Sequence, residues 1–358
     1  MDLRALFLAG REIEYARNQV LLHALQRFAD VDVIAGHKGR SLSVNGLDVA
    51  RRAAPLLLRR RYDLVFIGFY GHLILRLLTP LIRAPLLFDA FVSTYDTLCF
   101  DRQLYTPNSP AGRMAFWLDR ANCLRADHVL LDTRSHVDYF VETFDLPRDR
   151  FDALPVGCSD AIFTLAPLPA RNDPLRVLGY STFLPLHGMD VILDAAAHLT
   201  DASLTIKLIG DGPLHAQMRK QAERLALTNV TFASPVSPTT LAREIAAADI
   251  CLGGHFSSGE KAGRVIPGKI YQMLAVGRPV IAADAPGNRE LLTHGETAWF
   301  VPPGDAGALA QALCVLAGDR DLRHRLARTG RALYERCCSE AVIARRLEAI
   351  VDDLLCNL

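Results

Sequence analysis

The sequence has 358 residues, of which 50% are hydrophobic and 22% charged, a composition typical of a folded globular protein. Because one ordinary hydrophobic core does not extend to this length, we expect two domains. The formal net charge is only +1, so no overall positive field indicates nucleic acid as a partner.

The eight cysteines are scattered, with no C-x-x-C pair and no metal-ligand spacing to histidine. This pattern favours a reducing, cytoplasmic location and predicts no disulfide and no metal site. The N-terminal stretch is too short for the apolar part of a signal peptide, and the longest apolar region, residues 64–88, is interrupted by charges and prolines. We therefore expect any contact with the inner membrane to be peripheral. The basic cluster of Arg51, Arg52 and residues 59–61 is either a solvated helix face or a contact for anionic headgroups.

The first half of the chain alternates short apolar runs with amphipathic segments, which predicts a doubly wound α/β domain with a parallel sheet. The predicted strands cover residues 5–9, 31–35, 63–68, 85–88, 127–132 and 151–156. The predicted helices cover residues 16–28, 50–60, 113–126 and 133–144. Asp30 and Asp32 have the D-x-D spacing of some metal sites, but they lead into a strand. We interpret them as strand-edge carboxylates.

Polar side chains crowd into the segment that follows the fourth strand. They are Asp89, Ser93, Asp96, Asp101 and Arg102. Because ligands bind beyond the carboxyl ends of parallel strands, this density predicts an acceptor or catalytic wall. The alternative is a solvated loop with Asx-type turns.

The second half repeats the alternation after a Pro-rich segment, residues 166–172, that we interpret as a linker. The predicted strands cover residues 175–179, 204–209, 230–233, 250–252, 279–282 and 299–301. The predicted helices cover residues 189–199, 239–248, 268–276, 308–317, 321–334 and 339–355. We expect an N-terminal domain of residues 1–165, completed by residues 340–358, and a C-terminal domain of residues 173–338.

The segment of residues 251–305 combines a strand, a Gly/Ser loop, a helix and a second strand. Its loop and helix start carry Lys261, Arg264 and Lys269. Positive side chains beside free N–H groups at a helix start suit a phosphorylated ligand. For Lys269 the alternative is a solvated lysine in the first turn.

Several strings, in this order and spacing, resemble one family. They are ARNQVLL, FDAFVSTYDTLCFDR, GYSTFLPLHGMDVILDAA, IGDGP, and LAVGRPVIAAD with NRELLTHGETAWFVPPGD. The chain is similar to retaining GT-B glycosyltransferases of group 1 (family 4), in a bacterial branch. The resemblance implies two Rossmann-like domains that face a cleft, a sugar nucleotide bound between them, and a C-terminal helix that crosses back to the first domain.

The resemblance also implies donor-binding positions, at which this sequence departs from the family. The family has two glutamates with seven residues between them, at positions where this chain has Arg264 and Gln272, and Glu260 is nearby to bind sugar hydroxyls. An Arg and a Lys that hold the diphosphate in the family are Thr182 and His187 here. We expect Lys261, Arg264 and Lys269 to supply the missing charge. The remaining implied donor positions are Gly10, Gly210, Asn288 and Glu290.

The implied reaction is transfer of a sugar, with retention, from a nucleotide-diphosphate sugar to a glycan or lipid-linked acceptor, without a metal ion or other cofactor. Asp89 stands where many members have a histidine, so we assign it to orienting the sugar or acceptor; alternatively it caps N–H groups at a strand end. A sugar-nucleotide epimerase and a non-catalytic binding or scaffold protein of the same fold are alternative functions. The sequence does not predict the sugar, the base, the acceptor or the oligomeric state.

Overall fold

The structure is a computed structural model that describes residues 3–170, 173–199 and 203–356. Its contacts group the chain into two units, Met1–Ser159 with Glu340–Leu358 (unit 1) and Asp160–Ser339 (unit 2). The first domain was expected to extend to residue 165, but residues 160–165 belong to unit 2. There the Tyr334 hydroxyl donates to the Asp160 carboxylate at 2.6 Å.

Unit 1 contains a six-stranded parallel sheet in the order β2-β1-β3-β4-β5-β6. Its strands are β1 Leu3–Ala9, β2 Ala29–Ala35, β3 Leu64–Ile67, β4 Leu86–Asp89, β5 His128–Leu131 and β6 Phe151–Ala153. Its helices are α1 Ala16–Leu25, α2 Leu42–Arg59, α3 His72–Leu78, α4 Thr94–Asp96, α5 Pro110–Arg125, α6 Arg134–Phe144 and α15 Glu340–Cys356. The central strands β3 and β4 are buried along their whole length because helices cover both faces of the sheet.

The two faces of this sheet carry different helices. Residues of α2, α3, α5 and α6 form one core with β1, β3, β4 and β5, and residues of α1 and α15 form the other. Leu347 of α15, for example, is fully buried in the same cluster as Phe7 of β1. The prediction that the C-terminal helix returns to the first domain is therefore confirmed.

Unit 2 contains a second six-stranded parallel sheet in the order β12-β11-β10-β7-β8-β9. Its strands are β7 Leu175–Ser181, β8 Leu204–Gly210, β9 Val230–Ala233, β10 Ile250–Gly254, β11 Val280–Ala283 and β12 Trp299–Val301. Its helices are α7 Met189–Ala197, α8 His215–Arg224, α9 Pro238–Ala247, α10 Glu260–Arg264, α11 Gly268–Val276, α12 Pro286–Arg289, α13 Ala306–Gly318 and α14 Arg320–Cys337. Two doubly wound parallel sheets were predicted, and this prediction is confirmed.

Some elements differ from the prediction for identifiable reasons. Helix α2 begins eight residues before residue 50, because Ser41 caps it and the Asn45 amide exchanges hydrogen bonds with the backbone of His37. Helix α3 was not predicted. The described part of the expected linker packs on unit 2, where the Arg278 guanidinium donates to the carbonyls of Ala166 and Pro167 at 3.0 and 2.6 Å. Residues 171 and 172 lie outside the described residues.

The strand order reverses between β1 and β3 in unit 1 and between β7 and β10 in unit 2. At such a switch point the loops leave in opposite directions and open a crevice at the carboxyl ends of the strands. These two crevices are where a ligand site is expected. Across the described ranges, no helix combines the length and apolar character that a bilayer crossing requires.

Candidate functional site

The loops that follow β7 and β10 pack directly against each other at the switch point of unit 2. The Phe256 N–H donates to the His187 carbonyl at 3.2 Å, and the Ser257 hydroxyl donates to the Leu186 carbonyl at 2.9 Å. Gly188, with φ of +64°, lies so close that a Cβ there would be 2.4 Å from the Ser257 nitrogen. The two loops therefore form one rigid floor for the crevice.

The glycine turn after β8 completes this floor. Gly210 has φ of +141°, and a Cβ on it would lie 1.9 Å from the Ser181 carbonyl oxygen. A Cβ on Gly212 would lie 1.8 Å from the carbonyl oxygen of Thr182. Gly210 and Thr182, both predicted donor positions, thus belong to one backbone junction, and the Thr182 side chain is exposed beside it.

Two histidines and a lysine meet above this floor. The rings of His187 and His255 stack with centroids 5.2 Å apart. Burial, with a further effect of Lys269, lowers the pKa of His187 to about 3, and burial lowers the pKa of His255 well below its usual value. Both rings are therefore neutral at physiological pH. The Nδ1 of His187 accepts from the Leu184 N–H at 3.2 Å, which leaves Nε2–H as a donor.

Lys269 supplies the positive charge of this crevice. It lies in the first turn of α11, whose N-terminus has no side-chain cap. Its ammonium is 5.8 Å from the centre of the Tyr180 ring, and no carboxylate in the described ranges lies within ion-pair distance of it. Burial lowers the pKa of Lys269 to about 8. A partly desolvated cation with no anionic partner in the described ranges, at the start of an uncapped helix, is stabilised when an anionic ligand binds.

Tyr180 connects the crevice to Gln272. Its hydroxyl donates to the Gln272 Oε1 at 2.7 Å and lies 3.3 Å from the Lys269 carbonyl oxygen. This contact fixes the amide and leaves its N–H groups as donors for a ligand hydroxyl. Sequence reasoning did not single out Tyr180 or His255. In the sequence Tyr180 is only the first residue of the predicted exit loop, whereas in the structure it is the penultimate residue of β7.

Glu260 and Arg264 lie apart from Lys269, at a second pocket of about 310 Å³ beside α10 and the start of α12. The Arg264 guanidinium is 3.4 Å from the Glu260 carboxylate, whose side chain is 93% exposed. The same pocket is lined by His255, so the histidine borders both parts of the site. Lys261 is near enough to help lower the pKa of His255.

Asn288 and Glu290 lie on and just after α12. The Asn288 amide is buried and donates to the Ala283 carbonyl at 2.8 Å, so it holds α12 against the end of β11. Glu290 is exposed directly after that helix. Asn288 thus positions the wall of the second pocket, to which Pro286 and Ala285 contribute.

In unit 1 the predicted catalytic residue Asp89 is completely buried and paired with Arg17. The Arg17 Nη2 donates to its carboxylate at 2.8 Å, and Nη1 donates to the Leu154 carbonyl at 2.7 Å. Burial raises the pKa of Asp89, and the adjacent guanidinium opposes this shift. The pair ties the end of β4 to α1 and to the segment after β6. Its assignment to sugar or acceptor orientation stays a prediction.

The other polar residues after β4 form a buried turn. The Ser93 hydroxyl accepts from the Asp96 N–H at 2.9 Å and donates to the Asp119 carboxylate of α5 at 2.6 Å. Asp96 is buried, whereas Asp101 is half-buried and Arg102 exposed. Ser93 therefore has a local capping role in a buried turn, unlike the solvated loop of the alternative. Asp101 and Arg102 are the more accessible residues of the segment, and its role as an acceptor wall stays a prediction.

The switch point of unit 1 is narrow and aromatic. A Cβ on Gly10, at the end of β1, would lie 2.1 Å from the Tyr70 carbonyl oxygen, so only glycine permits this approach. The Phe69 ring stacks on Tyr15 at 4.5 Å and meets Phe91 edge-on at 5.3 Å. Sequence reasoning did not predict this aromatic cluster. Over the described residues, no three His, Cys, Asp or Glu side chains are grouped as metal ligands.

Two doubly wound units, each with a crevice at its switch point, define the GT-B class of protein. Two family models match the chain, "Glycosyl transferase 4-like domain" over residues 4–157 and "Glycosyl transferases group 1" over residues 176–319. The chain belongs to the group 1 glycosyltransferases.

Similar sequences agree with this assignment. A putative colanic acid biosynthesis glycosyltransferase, WcaL, of Escherichia coli is 25% identical over 58% of this chain and 52% of the relative. A phosphatidyl-myo-inositol mannosyltransferase of Mycobacterium leprae is 32% identical over 41% of this chain and 38% of the relative. The chain thus spans about half, or less, of the length of these relatives.

Solved structures share the fold along nearly the whole chain. A sucrose-phosphate synthase from Thermosynechococcus elongatus superposes with a TM-score of 0.78 at 16% identity, over 100% of both chains. Anabaena Alr3699/HepE in complex with UDP and glucose superposes with a TM-score of 0.75 at 17% identity, over 98% of this chain and 99% of that one. At this identity the likeness establishes the fold alone.

Proposed function

We propose that this protein is a glycosyltransferase that transfers a sugar, with retention, from a nucleotide-diphosphate sugar to a glycan or lipid-linked acceptor. The observation that carries the proposal is the crevice of unit 2. There Lys269 faces neutral His187 and His255 at an uncapped helix start, without an anionic partner in the described ranges. Membership of the group 1 glycosyltransferases supports the same activity.

The Lys269 ammonium and the backbone N–H groups of Gly268 and Lys269, at the start of α11, hold the diphosphate of the donor. As the bond between the anomeric carbon and the phosphate oxygen breaks, negative charge grows on the diphosphate. A preorganised cation and N–H groups stabilise that charge more strongly than they stabilise the intact donor. The His187 Nε2–H adds a neutral donor at the same place, in the position where the family more often has a cation.

The acceptor hydroxyl attacks the anomeric carbon from the face that the diphosphate leaves. The new carbon–oxygen bond forms on that face, and the acceptor proton passes to the departing diphosphate oxygen. Configuration is retained, and the step requires no metal ion or other cofactor. Gln272, fixed by Tyr180, donates to the ribose diol, and Glu260 accepts from hydroxyls of the sugar.

A uridine nucleotide is the first donor class to test. HepE, which shares the fold, was crystallised with UDP and with UDP-glucose. The biosynthetic relatives named for colanic acid and amylovoran favour an acceptor in polysaccharide assembly. The cysteines are scattered along the sequence without a C-x-x-C pair, which supports a cytoplasmic place of action.

Calorimetry with a panel of UDP- and GDP-sugars tests the proposal, followed by release of nucleoside diphosphate when an acceptor is added. We expect one donor to bind and Lys269→Ala to weaken it by about 10- to 100-fold, the value of a charge-assisted hydrogen bond. Lys207→Ala is the matched control, because this lysine of β8 already forms an ion pair with Glu244 of α9. If no donor of the panel binds, the proposal is wrong.

The two alternatives are separated by the products. A sugar-nucleotide epimerase would convert the donor without any acceptor, and a scaffold protein would bind it without turnover. If Lys269→Ala leaves tight binding unchanged, the protein still binds a nucleotide sugar, but the assignment of Lys269 to the diphosphate is wrong.

A further inference from the structure

One face of unit 1 exposes apolar side chains at positions where surface helices normally carry polar ones. Helices α2, α3 and α5 lie side by side over the sheet, with their inner sides in the core. Twelve of the fifteen exposed large hydrophobic residues of the described chain lie in unit 1 and three in unit 2. Eight of the twelve are on these three helices: Leu42, Val44, Leu47, Leu58, Leu77, Met114, Trp117 and Leu124. We name the outward side of α2, α3 and α5 the outer helical face.

Helix α5 shows the pattern most clearly. Met114, Trp117 and Leu124 follow one another at helical spacing, so they share a side of the helix. Met114 is 62% and Trp117 is 51% exposed. The opposite side carries Ala115 and Cys123 in the core, so α5 is apolar on two sides. A surface helix in water needs an apolar side only where it packs on the core. The second apolar side of α5 is therefore not explained by packing within unit 1.

The charges of this face have one sign. The three helices contain seven arginines, Arg51, Arg52, Arg59, Arg76, Arg113, Arg120 and Arg125, and two aspartates. Asp119 is completely buried on the inner side, and Asp48 is engaged by Arg51 and Arg52. The Arg76 guanidinium lies over the Trp117 ring at 5.3 Å, so cation and apolar surface are interleaved rather than segregated.

We propose that the outer helical face binds the surface of an anionic lipid bilayer. Arginines attract the negative headgroups, while Met114, Trp117 and the leucines enter the boundary between headgroups and acyl chains. A second copy of the chain on this face would bring arginine against arginine, so self-association is disfavoured. The apolar side chains are spread over three helices, which suits separate insertion into lipid.

This surface extends beyond the basic cluster expected from the sequence. In that cluster Arg52 is bound to Asp48 at 3.1 Å and Arg60 to Asp32 at 2.7 Å, whereas Arg51 and Arg59 are exposed. This proposal rests on the lipid-linked acceptor of the proposed function, because such an acceptor lies in a membrane. It is tested by binding alone, so it stands or falls independently of transferase activity.

The experiment is co-sedimentation of the full chain with vesicles of phosphatidylcholine, with and without phosphatidylglycerol, at low and high salt. We expect binding only to the anionic vesicles and a loss of affinity as salt screens the arginines. The charge variant Arg51→Glu with Arg113→Glu should weaken binding by about fivefold or more for each arginine. The apolar variant Met114→Ser with Trp117→Ser should weaken it at least as much while keeping the preference for anionic lipid.

Controls lie on unit 2, where Arg328→Glu changes an exposed helical arginine and Val315→Ser an exposed helical apolar residue. Circular dichroism and thermal melting verify that all variants fold, as surface changes should allow. Equal binding by face and control variants, or no binding to anionic vesicles, overturns the proposal. So does a dimer of the wild type that Met114→Ser with Trp117→Ser converts to a monomer, because the face would then be a self-association surface.

Discussion

Lys269 shows how a single side chain can be destabilising and useful at once. Its ammonium is held partly out of water, over an aromatic ring and near two neutral histidines. Removing a charge from water without pairing it is unfavourable, and functional sites tolerate this because a ligand later supplies the pair. The position of its pKa affects both donor binding and stability.

The first concerns the pH dependence of donor binding. With a pKa of about 8 in the free protein, Lys269 loses its charge as pH rises through 8, whereas a bound diphosphate keeps it protonated. Affinity for UDP should be constant below pH 8 and fall by about tenfold per pH unit above it. Calorimetry between neutral and alkaline pH measures this slope. In Lys269→Arg the slope should vanish, because arginine stays charged over this pH range. If the slope persists in this variant, a group other than Lys269 causes the pH dependence.

The second concerns stability. The folded-state pKa of Lys269 lies below its usual value of 10.5, so protonation at neutral pH favours the unfolded chain. Lys269→Met should raise the free energy of unfolding by about 1–2 kcal/mol at pH 7, measured by urea titration. The gain should shrink as pH rises from 8 to 10.5, where the folded lysine becomes neutral. Lys207→Met, which breaks an ion pair with Glu244, should show no such gain.

At the scale of elements, the loops after β7, β8 and β10 behave as one piece because glycines let their backbones touch. Gly188, in the loop after β7, makes such a contact with Ser257 of the loop after β10. The loop conformation therefore depends on a backbone approach more than on side-chain packing. This makes glycine substitution a sensitive probe of the crevice.

Gly188→Ala should lower stability by more than the 1–2 kcal/mol that a left-handed alanine normally costs, because its Cβ also meets the Ser257 nitrogen. It should weaken donor binding as well. Gly295→Ala is the matched control, since Gly295 has φ of +72° and nothing within 4 Å of a Cβ. Chemical denaturation and calorimetry of both variants decide the matter. Equal losses in the two variants would mean that the loop contact contributes nothing.

The elements themselves were largely readable from sequence. Apolar runs such as those at β3 and β4 are buried on both faces and leave few alternatives to a parallel strand. Helix α3 was missed because its seven residues, His72–Leu78, show no polar side by which periodicity identifies a surface helix. The start of α2 was missed because Asn45 and Gly46 disfavour a helix unless tertiary contacts hold them.

The site was readable only in part, because it depends on strand order. Lys269 and His187 are visible as a lysine at a helix start and a histidine in a strand-exit loop. Their meeting with Tyr180 and His255 requires β7 and β10 to be neighbours, which no local pattern specifies. The same holds for the Arg17–Asp89 pair, whose partners are 72 positions apart in the chain.

At the scale of the whole molecule, the chain leaves unit 1 after residue 159 and returns to it at residue 340. Helix α15 is a structural part of unit 1, with Leu347 and Val351 completely buried against β1 and α1. One layer of the first unit is thus built from the two ends of the described chain.

Leu347→Ala should therefore destabilise unit 1 by about 2–5 kcal/mol, the usual loss for a fully buried leucine. Hydrogen exchange should rise in peptides of β1 and α1, while peptides of unit 2 keep their protection. Leu326→Ala, at an equally buried position of α14, is the control and should give the reverse pattern. Exchange that rises uniformly in both variants would mean that the two units unfold together.

Because α15 packs on β1, unit 1 can be completed only after unit 2 has been synthesised. Strand β1 is synthesised before unit 2, yet the helix that covers one of its faces is synthesised after unit 2. Throughout synthesis of unit 2 that face, with Phe7, Leu64 and Phe66, lacks one of its two covering helices. The nascent chain thus presents an apolar surface to chaperones until α15 has been synthesised. A ribosome that stalls within α14 would leave unit 1 unfinished while the sheet of unit 2 is already complete.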